Sequence, residues 1–143
     1  MKIEESIRPK VENILSQDRK NMGHALGITF ELLSRSEMRA SMPVDENTTQ
    51  PFGILHGGAS VALAETLSSI GAYLNLRDDS MMAVGLEINA NHIRPVRNGD
   101  QVIGTSKPVH RGAKTQVWET RIETQDGKLV CISRCTLAVV RKR

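Results

Sequence analysis

One glutamate lies in the middle of an apolar segment, in the run SVALAETLSS. The residues three and four positions away from Glu65 are all uncharged: Val61, Ala62, Ser68 and Ser69. On a helix these residues are its neighbours, so none of them can pair with its carboxylate. Because burying an unpaired carboxylate costs free energy, such a residue is usually retained for a chemical task. The alternative is that Glu65 pairs with an arginine from a strand or reaches solvent at an edge.

The motif His56-Gly57-Gly58 lies where a loop rich in turn residues, DENTTQPFGILHGG, runs into a predicted helix. At such a point free backbone N–H groups and the positive end of the helix dipole lie beside the imidazole. The two glycines leave those N–H groups open to close approach by a ligand. The motif therefore predicts an oxyanion site, which stabilises negative charge on a reacting carbonyl oxygen. The alternative is a glycine turn whose histidine only caps or packs.

Other catalytic motifs fail on inspection. The segment from Gly58 to Ala62 lacks the final glycine of a nucleophile elbow, so we interpret Ser60 as an exposed or capping hydroxyl. No Gly-Lys-Ser/Thr follows the glycines, which excludes a phosphate-binding P-loop. The four histidines, at positions 24, 56, 92 and 110, do not have metal-ligand spacing, so we expect no metal.

The element that carries Glu65 is predicted to be a long central helix at about residues 57–76, because this segment is apolar nearly all round. Such a helix is buried on most sides, so a sheet must wrap it. The remaining patterns predict strands at residues 26–33, 39–43, 81–93, 100–111, 114–124 and 128–140. Asp126-Gly127 is a strong hairpin signal between the last two. The predicted fold class is α+β, with a curved antiparallel sheet of five to six strands around the helix.

The N-terminal region is predicted to form a short helix at about residues 9–18, with Pro9 at its first position. A length of 143 residues predicts a single domain, residues 1–143. The opening MKIEESIRPK contains acids and no apolar signal core, so we expect a cytoplasmic protein without a membrane partner. Cys131 and Cys135 lie in one predicted strand about 13 Å apart, too far for a disulfide, and should be reduced.

The charge pattern bears on possible partners. The net charge is only +3, and aromatic residues make up 3% of the chain, so a stacking platform for nucleic acid would be poorly supplied. We therefore expect no nucleic-acid partner. Basic residues nevertheless cluster locally, which favours an anion site there: Lys107, His110, Arg111 and Lys114.

A second histidine ends the strand pattern VGLEINANHIRPVR. Alternation places one set of side chains on a common, mainly apolar face: Val84, Leu86, Ile88, Ala90 and His92. His92 is therefore either a satisfied core histidine or a ligand contact, since histidines are commonly of intermediate burial.

Three motifs together carry a family resemblance: QPFGILHGGASVALAE at residues 50–65, VGLEINANHIRPVR, and HRGAKTQVWE. From about Met42 to Val140 the chain resembles the hotdog-fold thioesterases related to the phenylacetate-pathway enzymes. It is most similar to the branch that contains 1,4-dihydroxy-2-naphthoyl-CoA thioesterase and the proofreading aryl thioesterase of enterobactin synthesis. The resemblance implies a hotdog fold and hydrolysis of aryl- or medium-chain acyl-CoA, with no cofactor apart from the CoA of the substrate.

The resemblance also implies roles for individual residues. Glu65 would be the nucleophile or general base, while Gln50 and the Gly57 N–H would hold the thioester carbonyl beside His56. The supporting residues would be Ser69, His92 and Gly58. Arg111 and Lys114, which flank Gly112, are candidates for the CoA phosphates, because a compact basic turn suits phosphate oxygens. A solvated turn is the alternative there.

Fold alone does not fix the activity. A noncatalytic acyl-CoA-binding or regulatory module, a dehydratase and a carrier-protein thioesterase remain alternatives. Helix geometry adds a prediction about assembly: His56 and Glu65, nine residues apart, would be about 13 Å apart and on opposite helix faces. A two-fold dimer with shared active sites would bring them to one thioester. The resemblance implies the same homodimer, commonly paired again into a homotetramer.

Overall fold

The computed structural model describes residues 1–17 and 19–143. Within them the chain forms seven strands, three α-helices and one 3-10 turn. In chain order these are β1 Lys2–Ile3, the 3-10 turn Glu5–Ile7, α1 Arg8–Leu15, α2 Met22–Ala25, β2 Thr29–Leu33, β3 Met38–Pro43, α3 Gly57–Leu74, β4 Met81–His92, β5 Gln101–Arg111, β6 Thr115–Thr124 and β7 Leu129–Arg141.

The strands form one sheet in the order β1-β2-β3-β5-β6-β7-β4. All neighbouring pairs are antiparallel except β1 and β2, which are parallel. The long helix α3 packs on one face of this sheet and contacts β3, β4, β5, β6 and β7. This architecture confirms the predicted α+β hotdog fold. The strand number is seven rather than five to six, because β1 has two residues, too few for an alternating pattern to reveal.

Several predicted boundaries shift. Helix α3 ends at Leu74 rather than residue 76, and α1 covers Arg8–Leu15; the predicted end of that helix, residue 18, lies outside the described residues. The strand predicted at residues 26–33 begins only at Thr29, because helix α2 and Gly27, with φ of 67°, precede it. The predicted turn at Asp126-Gly127 is confirmed, and Gly127 has the positive φ, 81°, that such a turn requires.

Close packing fixes α3 on the sheet. The buried side chains of α3 face the strands: Ala59, Ser60, Leu63, Ala64, Leu67, Ser68, Ala72 and Leu74. A Cβ at Gly71 would lie 2.7 Å from the ring of the fully buried Trp118, so only glycine allows this approach. The Trp118 indole donates to Gln116, whose amide donates to the Ala72 carbonyl on α3. The helix is therefore held rigidly above the sheet.

The opposite face of α3 is not covered by this chain. Gly58 and Glu65 are exposed, and Val61, Ala62 and Ser69 are only half-buried. The prediction of a helix buried on most sides is therefore right for the positions of α3 that are buried or half-buried, and it fails at Gly58 and Glu65. A helix that is apolar all round must bury its second face on something else.

The uncovered face of α3 adjoins the edge strand β4. This strand has 12 residues and pairs only with β7. Its Leu86 is 62% exposed. A long edge strand with unpaired backbone groups is a template for pairing with another chain. Helix face and strand edge together form a continuous surface available to a second subunit.

The structure also bears on the two cysteines and on the character of the helices. Cys131 and Cys135 are both buried and free, as predicted. Burial raises the pKa of the Cys131 thiol above its usual value. In the described residues, none of the helices combines the length and the apolar character needed to cross a membrane.

Candidate active site

A cavity of about 310 Å³ opens beside the N-terminus of α3. The preceding loop, the first turn of α3 and the end of β4 surround it. Its polar lining comes from Gln50, Gly57, Ser60, His92 and Arg94, and its apolar lining from Ile54, Leu55, Ile93, Pro95 and Val130. Three residues selected from the sequence, Gln50, Gly57 and His92, therefore meet in one place.

The loop that presents Gln50 is held by hydrogen bonds at both ends. The His56 N–H donates to the Thr48 carbonyl at 2.8 Å, and the buried Thr48 hydroxyl donates to the Pro43 carbonyl at 2.8 Å. The Gln50 side-chain oxygen accepts from the Phe52 N–H. Because the oxygen is occupied, the amide NH₂ of Gln50 is the group left to donate into the cavity.

Helix α3 begins with a free donor. His56 is its N-cap, and His56 Nδ1 accepts from the Gly58 N–H at 2.8 Å. A neutral His56 therefore carries its ring proton on Nε2. The Gly58 N–H is thus occupied, whereas the Gly57 N–H makes no hydrogen bond to any described residue. The histidine therefore caps the helix, and the Gly57 N–H, at the lining of the cavity, has no partner among the described residues.

His92 lies against this donor. A Cβ added at Gly57 would come within 2.8 Å of His92 Nε2, so the imidazole covers the Gly57 Cα. His92 ends β4 opposite Cys131, is exposed, and lines the cavity. Of the two sequence interpretations, a buried core histidine does not fit this placement. The ring can instead contact a ligand held at the Gly57 N–H.

Glu65 lies elsewhere on the same chain. It is separated from Gly57 by eight residues, which on a helix is about 12 Å. Its carboxylate is exposed and lies beside β4, where Oε1 would be 3.4 Å from a Cβ at Gly85. In the described residues no hydrogen bond or ion pair involves this carboxylate. The expectation that the Glu65 carboxylate is buried in the core of its own chain is wrong. In the single chain it reaches solvent at an edge, which was the alternative.

Two groups accompany Glu65. Ser69, four residues further along α3, lies on the same half-buried face. Behind this face lies the buried Cys135 thiol, whose pKa is raised to about 11 by burial and by the carboxylates of Glu65 and Glu87. That thiol is protonated at neutral pH, and a protonated thiol is a poor nucleophile.

The predicted basic turn lies at the opposite end of α3. Arg111 Nη1 donates to the Arg35 carbonyl at 3.2 Å and to Asn75 Oδ1 at 3.1 Å, just past the end of the helix. Arg111 and Gly112 line a separate cavity of about 170 Å³, and Lys114 is exposed in the turn. Within one chain the structure therefore does not bring these residues near Gln50 and Gly57.

Sequence reasoning missed two cavity residues. Ser60, interpreted as exposed or capping, is buried and lines the cavity, because its position three residues after Gly57 faces the core. Arg94 was not singled out. Its signal was present in the sequence, since it follows His92 by two residues and strand alternation places such residues on the same side.

Replacing Gly57 by alanine is expected to reduce kcat/KM by about 10²- to 10³-fold, the range for loss of one oxyanion donor. The reason is the new methyl group, which would collide with the His92 ring and shield the N–H. The measurement is steady-state hydrolysis of a thioester, with a thermal unfolding curve of each variant as the control for folding. Gly58→Ala, whose Cβ meets only the His56 ring, should lose less. Wild-type kcat/KM in folded Gly57→Ala protein would contradict an oxyanion role.

Comparisons with known proteins give matches over most of the chain. Residues 52–131 match the thioesterase superfamily. The 1,4-dihydroxy-2-naphthoyl-CoA hydrolase of Escherichia coli is 48% identical over 120 residues, covering 84% of this chain and 87% of that protein. The proofreading thioesterase EntH of Cronobacter sakazakii is 48% identical over 115 residues, covering 80% and 82%.

A solved structure is similar throughout. A mutant of thioesterase PA1618 from Pseudomonas aeruginosa superimposes with a TM-score of 0.85 at 45% identity, covering 92% of this chain and 94% of that one. These matches favour a hydrolytic enzyme over the noncatalytic module and the dehydratase that the sequence left open.

Proposed function

The chain belongs to the thioesterase superfamily and hydrolyses thioesters, and we propose that its substrates are aryl- or medium-chain acyl-CoA esters. The observation that carries the proposal is the cavity that the free Gly57 N–H and the Gln50 amide both line. Two donors in the lining of one cavity suit the oxygen of a thioester carbonyl, where negative charge develops during attack. The relative named for 1,4-dihydroxy-2-naphthoyl-CoA supports an aryl-CoA ester.

The proposed reaction needs only water and this chain's own residues. The carbonyl C–S bond breaks, the thiolate leaves and takes up a proton, and the acyl carbon gains the oxygen of water. Glu65 supplies its carboxylate in one of two ways: as nucleophile through a mixed anhydride, or as general base that deprotonates the water. His92 and Ser69 position the substrate and the carboxylate. No cofactor takes part, because thiolate is already a good leaving group.

The proposed active site is shared between two subunits. Support comes from the separation of Glu65 from the cavity within one chain, together with the uncovered face of α3 and the unpaired edge of β4. A two-fold axis along that surface would set the N-terminus of one α3 against the middle of the other. Each cavity would then receive Glu65 and Ser69 from the partner. The same pairing would cover Leu86, which is otherwise exposed.

A second pairing would give the homotetramer. Met82 and Val140 are register partners on the sheet, each 39% exposed. Exposed apolar groups of this kind on a sheet face are typical of subunit contacts. The proposed location is the cytoplasm, where reducing conditions keep buried thiols such as Cys131 and Cys135 free.

The basic turn of Arg111, Gly112 and Lys114 remains a candidate for CoA phosphates. In the proposed dimer the start of one α3 lies against the middle of the other, so the end of the partner's helix extends past the site and its basic turn would lie on the outer side of the cavity. Lys114 is the residue to change, because Arg111 also holds the Arg35 and Asn75 region together. Replacing Lys114 by alanine should raise KM for CoA esters and leave KM for pantetheine esters unchanged.

Purified protein is expected to release thiol from benzoyl-CoA and from octanoyl-CoA, with a higher kcat/KM than for acetyl-CoA. Thiol release is measured with a chromogenic disulfide against all three esters, and against an octanoyl carrier protein. Hydrolysis of the carrier-protein ester alone would replace acyl-CoA as the substrate class. Absence of thiol release from every ester would overturn the proposed function.

A further inference from the structure

A groove on the side of the N-terminal helices reaches from the middle of α3 to the protein surface. Its inner part has a volume of about 680 Å³ and its outer part a volume of about 630 Å³. Among the described residues, neither part shares a lining residue with the cavity at Gly57. The two parts themselves are continuous, because they share five lining residues: Ile14, Gln17, Arg19, Lys20 and Asn21.

The inner part of the groove is mainly apolar and adjoins the row of α3 that carries Glu65 and Ser69. Its helix side consists of Thr66 and Ile70, which directly follow these two residues in the chain. An acyl group whose carbonyl carbon lies at the Glu65 carboxylate can therefore enter the groove by crossing one row of the helix. The Thr66 hydroxyl donates to the Ala62 carbonyl at 2.7 Å, so it does not need a ligand as acceptor. The remaining apolar lining comes from the segment 14–30: Ile14, Leu15, Met22, Ile28 and Phe30.

The outer part of the groove is positively charged. It is lined by Arg19, Lys20 and Lys142, and none of the three forms an ion pair with a described residue. No carboxylate among the described residues lines either part of the groove. The segment 13–24 contains one acid, Asp18, which lies outside the described residues, and positive charges remain in excess when it is counted.

A neutral donor lies beside these charges. Tyr73 lines the outer part of the groove, and its hydroxyl accepts from the Asn13 side chain at 3.2 Å. The hydroxyl therefore keeps its own proton to donate to a ligand. The mouth of the groove is thus formed by three cationic side chains and one phenol: Arg19, Lys20, Lys142 and Tyr73. Such a set suits a carboxylate, because hydrogen bonds to an ionised group are stronger than neutral ones.

We propose that this mouth binds an anionic group at the far end of the acyl chain, so that the preferred substrates are acyl-CoA esters with a terminal carboxylate. The inference rests on the proposed acyl-CoA activity and narrows its substrate class. An apolar passage between the Glu65 row and a cationic mouth matches a chain that has a thioester at one end and a carboxylate at the other. A plain fatty acyl chain of the same length would leave the mouth without a partner.

Helix geometry sets the length of the acyl chain. Tyr73 lies eight residues after Glu65 on α3, which is about 12 Å along the helix axis. An extended chain advances roughly 1.2 Å per bond, so about ten bonds separate a carbonyl at Glu65 from the mouth. A decanedioyl group has this length. The carboxylate of a much shorter chain would lie in the apolar part of the groove, where its loss of hydration is unfavourable.

The test measures kcat/KM for two esters of equal chain length, the mono-CoA ester of decanedioic acid and decanoyl-CoA. Both carry the same CoA, so any effect on CoA binding cancels in the ratio of the two values. Lys20→Gln and Lys142→Gln each remove one charge from the mouth, and they do so from opposite ends of the chain. Lys128→Gln is the matched control, because Lys128 is exposed and lines neither part of the groove.

Wild-type protein is expected to favour the decanedioyl ester by about tenfold, because several exposed charge contacts, each of which changes a binding constant a few-fold, act together. Each mouth variant should lower this ratio by about threefold and the double variant by about tenfold, whereas Lys128→Gln should leave it unchanged. Wild-type protein that hydrolyses neither ester and no octanoyl-CoA overturns the proposed function. Hydrolysis without a preference for the decanedioyl ester, or of octanoyl-CoA alone, overturns only this inference. Equal losses on both esters in the double variant also overturn it, because the mouth would then bind the CoA part of the substrate.

Discussion

Glu65→Ala is expected to lower kcat for acyl-CoA hydrolysis by about 10²- to 10⁴-fold, the range that a positioned acid or base contributes. Either proposed role of the carboxylate predicts this loss. As nucleophile or as general base, Glu65 contributes only in the reaction, so KM should change little. The measurement is steady-state thiol release at substrate concentrations well above KM. Wild-type turnover by the variant would rule out both roles.

The structure makes this substitution a clean test. Glu65 is exposed in the single chain and forms no hydrogen bond or ion pair with a described residue. Within its own chain such a substitution changes the free energy of unfolding by about 0.5 kcal/mol or less, and in the proposed dimer it removes an unpaired carboxylate whose burial is unfavourable. The protein should therefore keep its thermal unfolding curve and its oligomeric mass. Glu87→Ala is the matched control, because Glu87 is an exposed carboxylate on β4, the strand beside Glu65, and its carboxylate accepts a hydrogen bond from Asn89.

For α3, the helix that carries Glu65, the sequence predicted the position of the helix but not what covers each of its faces. Apolar periodicity located α3 to within two residues of its end, because nearly every position in it packs against something. The same pattern does not say what covers each face. One face packs on the sheet of its own chain, and the other is left open. Burial inferred from composition therefore does not say whether the same chain or a second subunit covers each face of the helix.

Local rules predicted the parts of the site that depend on local structure. The N-cap position of His56 and the open N–H of Gly57 follow from where the loop meets the helix, which the glycines mark. Cavity membership depends instead on how distant segments meet. Ser60 and Arg94 therefore escaped notice, and His92 could be placed only as one of two alternatives.

Two short elements, β1 and α2, could not be predicted from the sequence. Strand β1 and helix α2 have two and four residues, too few for a hydrophobic pattern to repeat. Helix α2 is instead fixed by local capping, because the Asn21 side chain accepts from the His24 N–H. Its presence delays the start of β2 to Thr29.

Mixing two inactive variants is expected to restore activity if the active site is shared. Glu65→Ala keeps His56 and the cavity, while His56→Ala keeps the carboxylate but loses the ring that caps the start of α3 at Gly58, beside the proposed carbonyl site. Each variant is first shown to be a folded oligomer, which matters for His56→Ala because the substitution removes the N-cap contact to Gly58. Loss of such a cap costs about 1 kcal/mol, which a stable dimer should tolerate. The two proteins are then unfolded together and refolded so that subunits exchange.

Random assortment makes half of the dimers mixed. In a mixed dimer one site has both wild-type residues and the other has neither, so about a quarter of wild-type activity should appear. The separation of Glu65 from the cavity predicts this result, because no single chain places the carboxylate beside the Gly57 N–H. Refolding each variant alone is the control and should restore nothing. If mass spectrometry shows mixed dimers while the mixture stays as inactive as its parents, His56 and Glu65 do not serve one substrate across the interface, and the exposed face of α3 must have another purpose.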